Sequence, residues 1–278
     1  MGETIDISKE DIVFSGNPNG SGKARNMFEY WMKKYIKKFT INGLYNIPKK
    51  GAFLLVANHQ SHADGPVIWK ALSGIRDDVW AVAGKVIADP RARDFYRDSY
   101  PGLIYVERQE EVDRKEATAY LLKAFDYITE KLIEGIPFFI FSESTRSKDG
   151  KLLQGQWRTI LPALIAKVPI IPCSIIGTGN LFSYEPSTVK VEDFLSGYIE
   201  KNINYIDELI ISFGSPTTFM DHAEVDNLKG IIDISQARYD RNKVKEIMDE
   251  IMSDIAIMLP EHMWGHYAEL TKFLSQPI

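Results

Sequence analysis

LLVANHQSHADGP, residues 54–66, starts as an apolar run and ends as a polar cluster before a Gly-Pro pair. The apolar run predicts a buried strand, and Ser61 with the Gly-Pro pair indicates a turn into a helix. His59 and Asp64 are five residues apart, which is about 140° around a helix, so their side chains meet only if the chain turns between them. A histidine oriented by a carboxylate at a strand end is a general base, which makes these two residues the candidate catalytic pair.

Two other interpretations of this stretch stay open on the sequence alone. His59, His62 and Asp64 are a possible set of metal ligands, although the remaining histidines lie far along the chain. His59 is otherwise a structural residue that caps a helix. Because a His-x-x-x-x-Asp pair is weakly specific by itself, the choice depends on the motifs that accompany it.

Apolar runs of strand length recur along the chain, with helical patterns between them. Such near-continuous apolar strands predict a sheet that helices cover on both faces. We therefore expect an α/β fold in a single domain, with a mixed, mostly parallel sheet and ligands bound at the strand ends. The predicted strands are residues 52–58, 79–85, 103–107, 137–142, 169–176 and 208–214. The predicted helices are residues 66–72, 89–98, 111–134, 157–166 and 242–259.

The composition argues against several classes of protein. The chain has 278 residues, of which 45% are hydrophobic and 26% charged, as in ordinary folded domains. Its net charge of −5 argues against nucleic-acid binding, and a single cysteine, Cys173, rules out an internal disulfide. The polar first residues and the lack of a long apolar window predict a cytoplasmic protein without a spanning helix.

Residues 25–39 combine an apolar stripe with a lysine face at helical spacing. The stripe includes Phe28, Trp31 and Tyr35, and the other face carries Lys33, Lys34, Lys37 and Lys38. Aromatic residues opposite lysines are typical of a helix lying in the interface of an anionic membrane. An ordinary amphipathic helix with a solvated lysine face has the same pattern. We expect this helix to form an N-terminal segment, residues 1–42, ahead of the domain at 43–278.

Three further stretches accompany the His-Asp pair. They are GLIYVER (102–108), FSESTRS (141–147) and VPIIPC (168–173), the last with an internal proline at Pro172. An arginine presents a planar fork that suits phosphate, so Arg108 and Arg146 at neighbouring strand ends would form an anion site. Taken alone, each arginine is better explained as a surface charge paired with a nearby glutamate, Glu107 for Arg108 and Glu143 for Arg146.

In this order, the four stretches resemble the sequence blocks of the PlsC-like glycerolipid acyltransferases, the 1-acylglycerol-3-phosphate acyltransferase family. NHQSHAD matches the block Asn-His-x-x-x-x-Asp, GLIYVER the block that ends in arginine, FSESTRS the block Phe-Pro-Glu-Gly-Thr-Arg-Ser, and VPIIPC the apolar block with its proline. The resemblance covers about residues 45–176 and a later strand. The third block departs from the pattern, with Ser142 for the usual proline and Ser144 for the usual glycine.

The resemblance implies acyl transfer from acyl-CoA or acyl-carrier protein to the hydroxyl of a lysophospholipid or glycerol-phosphate acceptor, above all 1-acylglycerol-3-phosphate, in phospholipid biosynthesis. His59 would be the base and Asp64 would orient it. The implied acceptor residues are Gly102, Arg108, Glu143, Ser144, Thr145 and Arg146, and Pro172 would line the acyl-donor side. The resemblance implies no metal and no redox cofactor. It also fits an enzyme attached to the cytoplasmic face of an anionic membrane.

Two rival functions stay open. A hydrolase would use Ser142 or Ser144 as the nucleophile and His59 as its base, although neither serine lies in a Gly-x-Ser-x-Gly turn. A lipid-binding module that has lost activity is the rival outside enzymes, and the altered third block keeps it open.

Overall fold

The computed structural model describes residues 13–16, 22–84, 97, 99–106, 114–181, 202–219 and 240–274. These residues form one eight-stranded sheet in the order β1-β5-β4-β6-β3-β7-β8-β2. The strands are β1 (Val13–Ser15), β2 (Ile36–Asn42), β3 (Leu54–Ala57), β4 (Trp80–Gly84), β5 (Gly102–Val106), β6 (Phe138–Phe141), β7 (Ile170–Ile176) and β8 (Ile206–Phe213). Five neighbouring pairs are parallel, and the pairs β1–β5 and β7–β8 are antiparallel. The predicted α/β fold with a mixed, mostly parallel sheet is therefore confirmed.

Helices cover both faces of this sheet. The α-helices are α1 (Lys23–Tyr35), α2 (Asp64–Leu72), α3 (Arg114–Ile133), α4 (Leu161–Ala166), α5 (Thr178–Leu181), α6 (Arg241–Ile257) and α7 (Ala268–Leu274). Short 3-10 turns lie at Leu44–Asn46, Trp157–Ile160, Glu261–Met263 and Gly265–Tyr267. Helices α1 and α2 pack on one face, and α3, α4 and α6 pack on the other. Each face thus has its own apolar core.

The central strands are apolar on both faces because both faces are covered. In β3, Leu54 and Val56 contribute to the core under α3, α4 and α6, whereas Leu55 and Ala57 contribute to the core under α1 and α2. All four are at most 1% exposed. The six apolar runs in the sequence correspond to β3–β8, and the helices predicted at 66–72, 111–134, 157–166 and 242–259 correspond to α2, α3, the 3-10 turn with α4, and α6. The helix predicted at 89–98 lies outside the described residues, except for residue 97.

The N-terminal helix differs from its prediction. Helix α1 ends at Tyr35, and the next seven residues form β2, which pairs in parallel with β8. Phe28, Trp31 and Tyr35 are 4%, 5% and 7% exposed and pack into the core with α2. The prediction that these three aromatic residues face a membrane is therefore wrong: the stripe covers the sheet, which is the ordinary role of an amphipathic helix.

The lysines of this region divide between two elements. Lys33 and Lys34 lie exposed on α1, whereas Lys37 and Lys38 lie on β2 and pair with Asp207 (3.7 Å) and Glu208 (2.6 Å) on β8. In the described part of the predicted segment 1–42, β1 and β2 thus belong to the same sheet as the strands that follow position 42. Among the described residues, no helix combines the length and the hydropathy needed to cross a membrane.

Candidate active site

The site lies at the carboxyl ends of two adjacent parallel strands. β3 and β6 pair with Ala57 opposite Phe141, so the residues that follow them, Asn58-His59 and Ser142-Glu143, emerge side by side. The chain leaves β3 toward β4 on one side and leaves β6 toward β7 on the other. Crevices at such reversals of strand order are where open α/β sheets bind their ligands.

His59 and Asp64 meet as the sequence predicts. The chain turns after β3, and Asp64 occupies the first residue of α2, where its Oδ2 lies 2.8 Å from the His59 Nδ1. The same Oδ2 accepts hydrogen bonds from the backbone N–H groups of Gln60 (2.7 Å) and Ser61 (2.8 Å). Asp64 is fully buried and His59 retains 14% side-chain exposure. Because the carboxylate accepts the Nδ1 proton, the Nε2 of His59 is the nitrogen left to act as a base.

The turn after β6 holds His59 from several directions. Glu143 Oε1 accepts a hydrogen bond from the His59 backbone N–H (2.7 Å), and the Ser147 N–H donates to the His59 carbonyl (2.8 Å). The His59 ring stacks on Phe141, with 4.0 Å between ring centroids and 9° between planes. The first and third sequence blocks therefore form one structural unit around the imidazole.

Asn58 fixes the strand end from the other side. Its side-chain amide donates to the Ile175 carbonyl (2.9 Å), and its side-chain carbonyl accepts from the Ile175 N–H (2.7 Å). Asn58 is 1% exposed, so this pair replaces a missing stretch of backbone ladder between β3 and β7. The sequence motif contains Asn58, but nothing in the motif predicts the partner in β7.

The third block forms a tight turn. Ser142 is buried: its hydroxyl accepts a hydrogen bond from Thr159 (2.8 Å), and its carbonyl accepts one from the Gln156 N–H (2.8 Å). Ser144 adopts a φ of 59°, in the left-handed region that favours glycine, which explains why a glycine is usual there. Ser144 and Thr145 are exposed and Arg146 is half-buried, in the turn that follows the carboxyl end of β6. Arg108 lies outside the described residues.

Gly102, predicted for the acceptor site, and Pro172, predicted for the donor side, both lie in strands of the sheet. Gly102 starts β5, and the register through β4 and β6 places it level with Leu54, at the opposite end of the strands from His59. A Cβ on Gly102 would lie 2.2 Å from the Trp80 ring, so the glycine makes room for this tryptophan. The structure does not bring Gly102 to the acceptor site. Pro172 is buried in β7 opposite Val56, and its role on the donor side stays a prediction.

Burial shapes the electrostatics of the site. Glu143 is 4% exposed, and desolvation raises its pKa to about 8, while hydrogen bonds from the backbone N–H groups of Leu153 and His59 oppose the rise. Burial also raises the pKa of the Cys173 thiol well above its usual range, which disfavours a thiolate nucleophile. Among the described residues, no serine hydroxyl hydrogen-bonds to the His59 ring, and no three His, Cys, Asp or Glu side chains converge in metal-binding geometry.

The arrangement provides a half-buried base with a fixed tautomer, beside an exposed turn that carries Thr145 and Arg146. It suits removal of a proton from a hydroxyl that enters at the strand ends. Sequence reasoning missed Phe141 and Gln60 as site residues. Phe141 supports the imidazole, and the Gln60 side chain donates to the Gly150 carbonyl (2.9 Å), which ties the His-Asp turn to the loop after β6.

Comparisons with known proteins agree with this architecture. A family model described as acyltransferase matches residues 38–176, which is 139 of the 278 residues. No curated protein sequence matches the chain. Among solved structures, the chain is similar to PlsC, the 1-acyl-sn-glycerophosphate acyltransferase of Thermotoga maritima, at 19% identity and a TM-score of 0.54. That likeness covers 92% of this chain and 78% of PlsC. The chain has the PlsC fold and belongs to the acyltransferase family.

Proposed function

We propose that this protein transfers a fatty acyl group from acyl-CoA or acyl-carrier protein to the free hydroxyl of a lysophospholipid, with 1-acylglycerol-3-phosphate as the first acceptor to test. The observation that carries the proposal is the hydrogen bond between His59 Nδ1 and Asp64 Oδ2 at the carboxyl end of β3. Membership of the acyltransferase family and likeness to PlsC support the reaction class. The product would enter phospholipid biosynthesis.

In the proposed reaction, His59 Nε2 takes the proton of the acceptor hydroxyl as the oxygen attacks the thioester carbonyl. The tetrahedral intermediate then collapses, the C–S bond breaks, and the imidazolium returns its proton to the leaving thiolate. Asp64 stabilises the imidazolium while it exists. General-base help of this kind contributes about a hundred- to ten-thousand-fold, and positioning of the two substrates contributes the rest. The donor is a co-substrate, and the proposed chemistry requires no metal or redox cofactor.

Arg146, and Arg108 beyond the described residues, are the groups we propose for the acceptor phosphate, with Thr145 beside them. A guanidinium offers two parallel N–H donors to a phosphate, whereas serine and threonine offer one. Removal of one such arginine contact would raise the acceptor KM more than it lowers kcat. Arg146→Lys, which keeps the charge and loses the fork, would show whether the geometry matters.

The test is a thiol-release assay with palmitoyl-CoA and a panel of acceptors that includes glycerol-3-phosphate and lysophosphatidic acid. Release that requires lysophosphatidic acid and disappears in His59→Ala would support the proposal. Release without any acceptor would instead support a thioesterase. If no acceptor gives release, acyl-carrier protein replaces acyl-CoA as the donor, and failure with both donors would reject the proposed activity.

A membrane-facing surface follows from the same proposal, because a lysophospholipid acceptor lies in a bilayer. The surface we propose, called the interfacial patch, consists of Tyr30, Lys33, Lys34, Lys37, Lys38 and Tyr205. Tyr30 and Tyr205 are 51% and 73% exposed, and Lys34 Nζ donates to the Tyr30 hydroxyl at 3.1 Å. Exposed tyrosines beside lysines suit the headgroup region of an anionic membrane.

The sheet topology supports this choice of residues, because they lie near the same strand ends as His59. β8 runs antiparallel to β7, with Ile210 opposite Ile176, so the start of β8 extends past the carboxyl end of β7. Ile36 pairs with Ile206, and the rings of Tyr35 and Tyr205 contact each other at 4.9 Å. The C-terminal end of α1 therefore lies at the same end of the strands as His59. Acidic partners of Lys37 and Lys38 reduce the positive charge there, so Lys33 and Lys34 carry most of the proposed attraction.

The experiment compares two double variants in vesicle co-sedimentation. Lys33→Gln/Lys34→Gln removes two charges from the interfacial patch, and Lys49→Gln/Lys50→Gln removes two exposed charges before β3, at the other end of that strand. Each lysine near an anionic surface contributes about 1 kcal/mol, so the first variant should bind phosphatidylglycerol vesicles at least about tenfold more weakly. Equal losses in both variants would reject the interfacial patch.

A further inference from the structure

We infer that Glu143 is a positioning residue for His59. The carboxyl group of Glu143 holds the backbone of His59 in place and does not bind the acceptor. The inference rests on the proposed acyl transfer, and it differs from the acceptor-binding role that the family resemblance implies for Glu143. The observation behind it is the bridge between His59 and Leu153: Oε1 accepts from the His59 N–H and Oε2 accepts from the Leu153 N–H, each at 2.7 Å.

Both oxygens of Glu143 are thus occupied by backbone donors. The residue is only 4% exposed, which leaves little of the carboxylate for an incoming polyol. By contrast, its neighbours Ser144 and Thr145 are exposed and remain accessible to a ligand.

The bridge restricts the backbone N–H of His59 in the turn between β3 and α2, residues 58–64, which we call the catalytic turn. His59 is bonded at its N–H by Glu143, at its carbonyl by Ser147 and at its ring by Asp64 and Phe141. Loss of the Glu143 bond would leave a backbone N–H without its partner and allow the turn to shift. A displacement of about 1 Å in a catalytic group can lower the rate by a hundredfold.

The charge environment of Glu143 agrees with a structural role. Burial raises its pKa to about 8, and the two backbone N–H groups only oppose that rise, so the side chain retains its proton near pH 7. The nearby Asp64 raises the pKa of Glu143 further, and Glu143 in turn raises the pKa of Tyr267. A neutral side chain bonded to two backbone N–H groups holds this turn through its hydrogen bonds rather than through its charge.

The kinetic test uses Glu143→Gln, Glu143→Asp and the control Glu130→Gln, which makes the same chemical change at an exposed position of α3. Glutamine keeps the shape but has one acceptor oxygen for two N–H donors. Aspartate keeps both oxygens on a chain one methylene shorter. We expect kcat to fall in the order Glu, Asp, Gln, by at least tenfold for Gln, with the acceptor KM within threefold of wild type. An acceptor KM raised tenfold or more at unchanged kcat would overturn the inference.

A second measurement does not depend on turnover. The ring N–H signal of His59, assigned by its loss in His59→Gln, is followed by two-dimensional ¹⁵N–¹H NMR. We expect it to shift or broaden in Glu143→Gln and to stay unchanged in Glu130→Gln; an unchanged signal in Glu143→Gln would overturn the inference. If wild-type protein gives no turnover with any acceptor, the proposed function fails, whereas this spectrum still decides whether Glu143 positions His59. Should the glutamine variant not fold, Glu143→Asp supplies both readouts.

Discussion

The side chain of Asn58 forms a two-way hydrogen-bonded pair with the backbone of Ile175, through its amide to the carbonyl at 2.9 Å and its carbonyl to the N–H at 2.7 Å. This pair joins the end of β3 to β7 at the point where the strands separate. It places His59, the next residue, at a fixed distance from the sheet. The catalytic turn is therefore anchored on both sides, by Asn58 to β7 and by Glu143 to the turn after β6.

Asn58→Ala is expected to destabilise the protein by about 3 kcal/mol, because it leaves a buried N–H and a buried carbonyl of Ile175 without partners. Chemical denaturation followed by circular dichroism measures the change. Asn42→Ala is the matched control, since the Asn42 amide donates to the Ser212 hydroxyl at an exposed site. Similar losses in the two variants would contradict the special role of Asn58.

Asp64→Asn is expected to lower kcat by about a hundred- to ten-thousand-fold with little change in the acceptor KM, because the imidazolium loses its counter-charge. The substitution also introduces an N–H₂ group at the position of Oδ1, which is buried without a hydrogen-bond partner in the described part of the chain. Steady-state kinetics measures the effect. A kcat within threefold of wild type would show that Asp64 does not take part in the mechanism.

Gly102→Ala is expected to destabilise the fold by about 1–3 kcal/mol, because its Cβ would overlap the Trp80 ring. The folded enzyme should keep its acceptor KM, since Gly102 lies at the far end of the strands. Thermal unfolding and kinetics on the same sample check both expectations. Trp80→Leu in the same chain should recover part of the lost stability. A raised acceptor KM in Gly102→Ala would instead support a role for Gly102 in acceptor binding.

Ser144→Gly is expected to raise the free energy of unfolding by up to about 1 kcal/mol. The strain of a left-handed serine is removed, although the greater freedom of glycine in the unfolded chain offsets part of the gain. Lys167→Gly provides a comparison, because Lys167 also has a positive φ, at the C-terminal end of α4. A loss of stability in Ser144→Gly would show that the serine side chain makes a stabilising contact in this turn.

The stability of the wild-type protein should depend on pH through Glu143. Its pKa is raised from 4.5 to about 8 in the folded state, so the folded chain retains a proton that the unfolded chain has released. This contribution to stability is complete below about pH 4.5 and is lost as the pH rises to about 8, with a slope of at most about 1.4 kcal/mol per pH unit. Glu143→Gln should show a flatter profile between these pH values in denaturation experiments. Parallel profiles would contradict the assignment.

The sequence predicts the central strands well because burial on both faces leaves a continuous apolar run in each of them. It predicts β2 wrongly for a specific reason: Phe39 continues the spacing of Tyr35, so the pattern of α1 runs on into the strand. Pairing with β8 outweighs that local preference. Likewise, the motifs name His59, Asp64 and Glu143, but the bridge from Glu143 to two backbone amides depends on residues distant in sequence.

The hydrogen bonds that hold His59 in place have a consequence for the synthesis of the protein. Glu143 lies 84 residues after His59, and Ile175 lies 117 residues after Asn58. β3, the first of the central strands to be made, obtains its neighbours β6 and β7 only later in translation. Pairings of such long range form slowly. The catalytic base is thus synthesised long before it is held in place, and a nascent chain that ends before residue 176 should be inactive even though it already contains His59, Asp64 and Glu143.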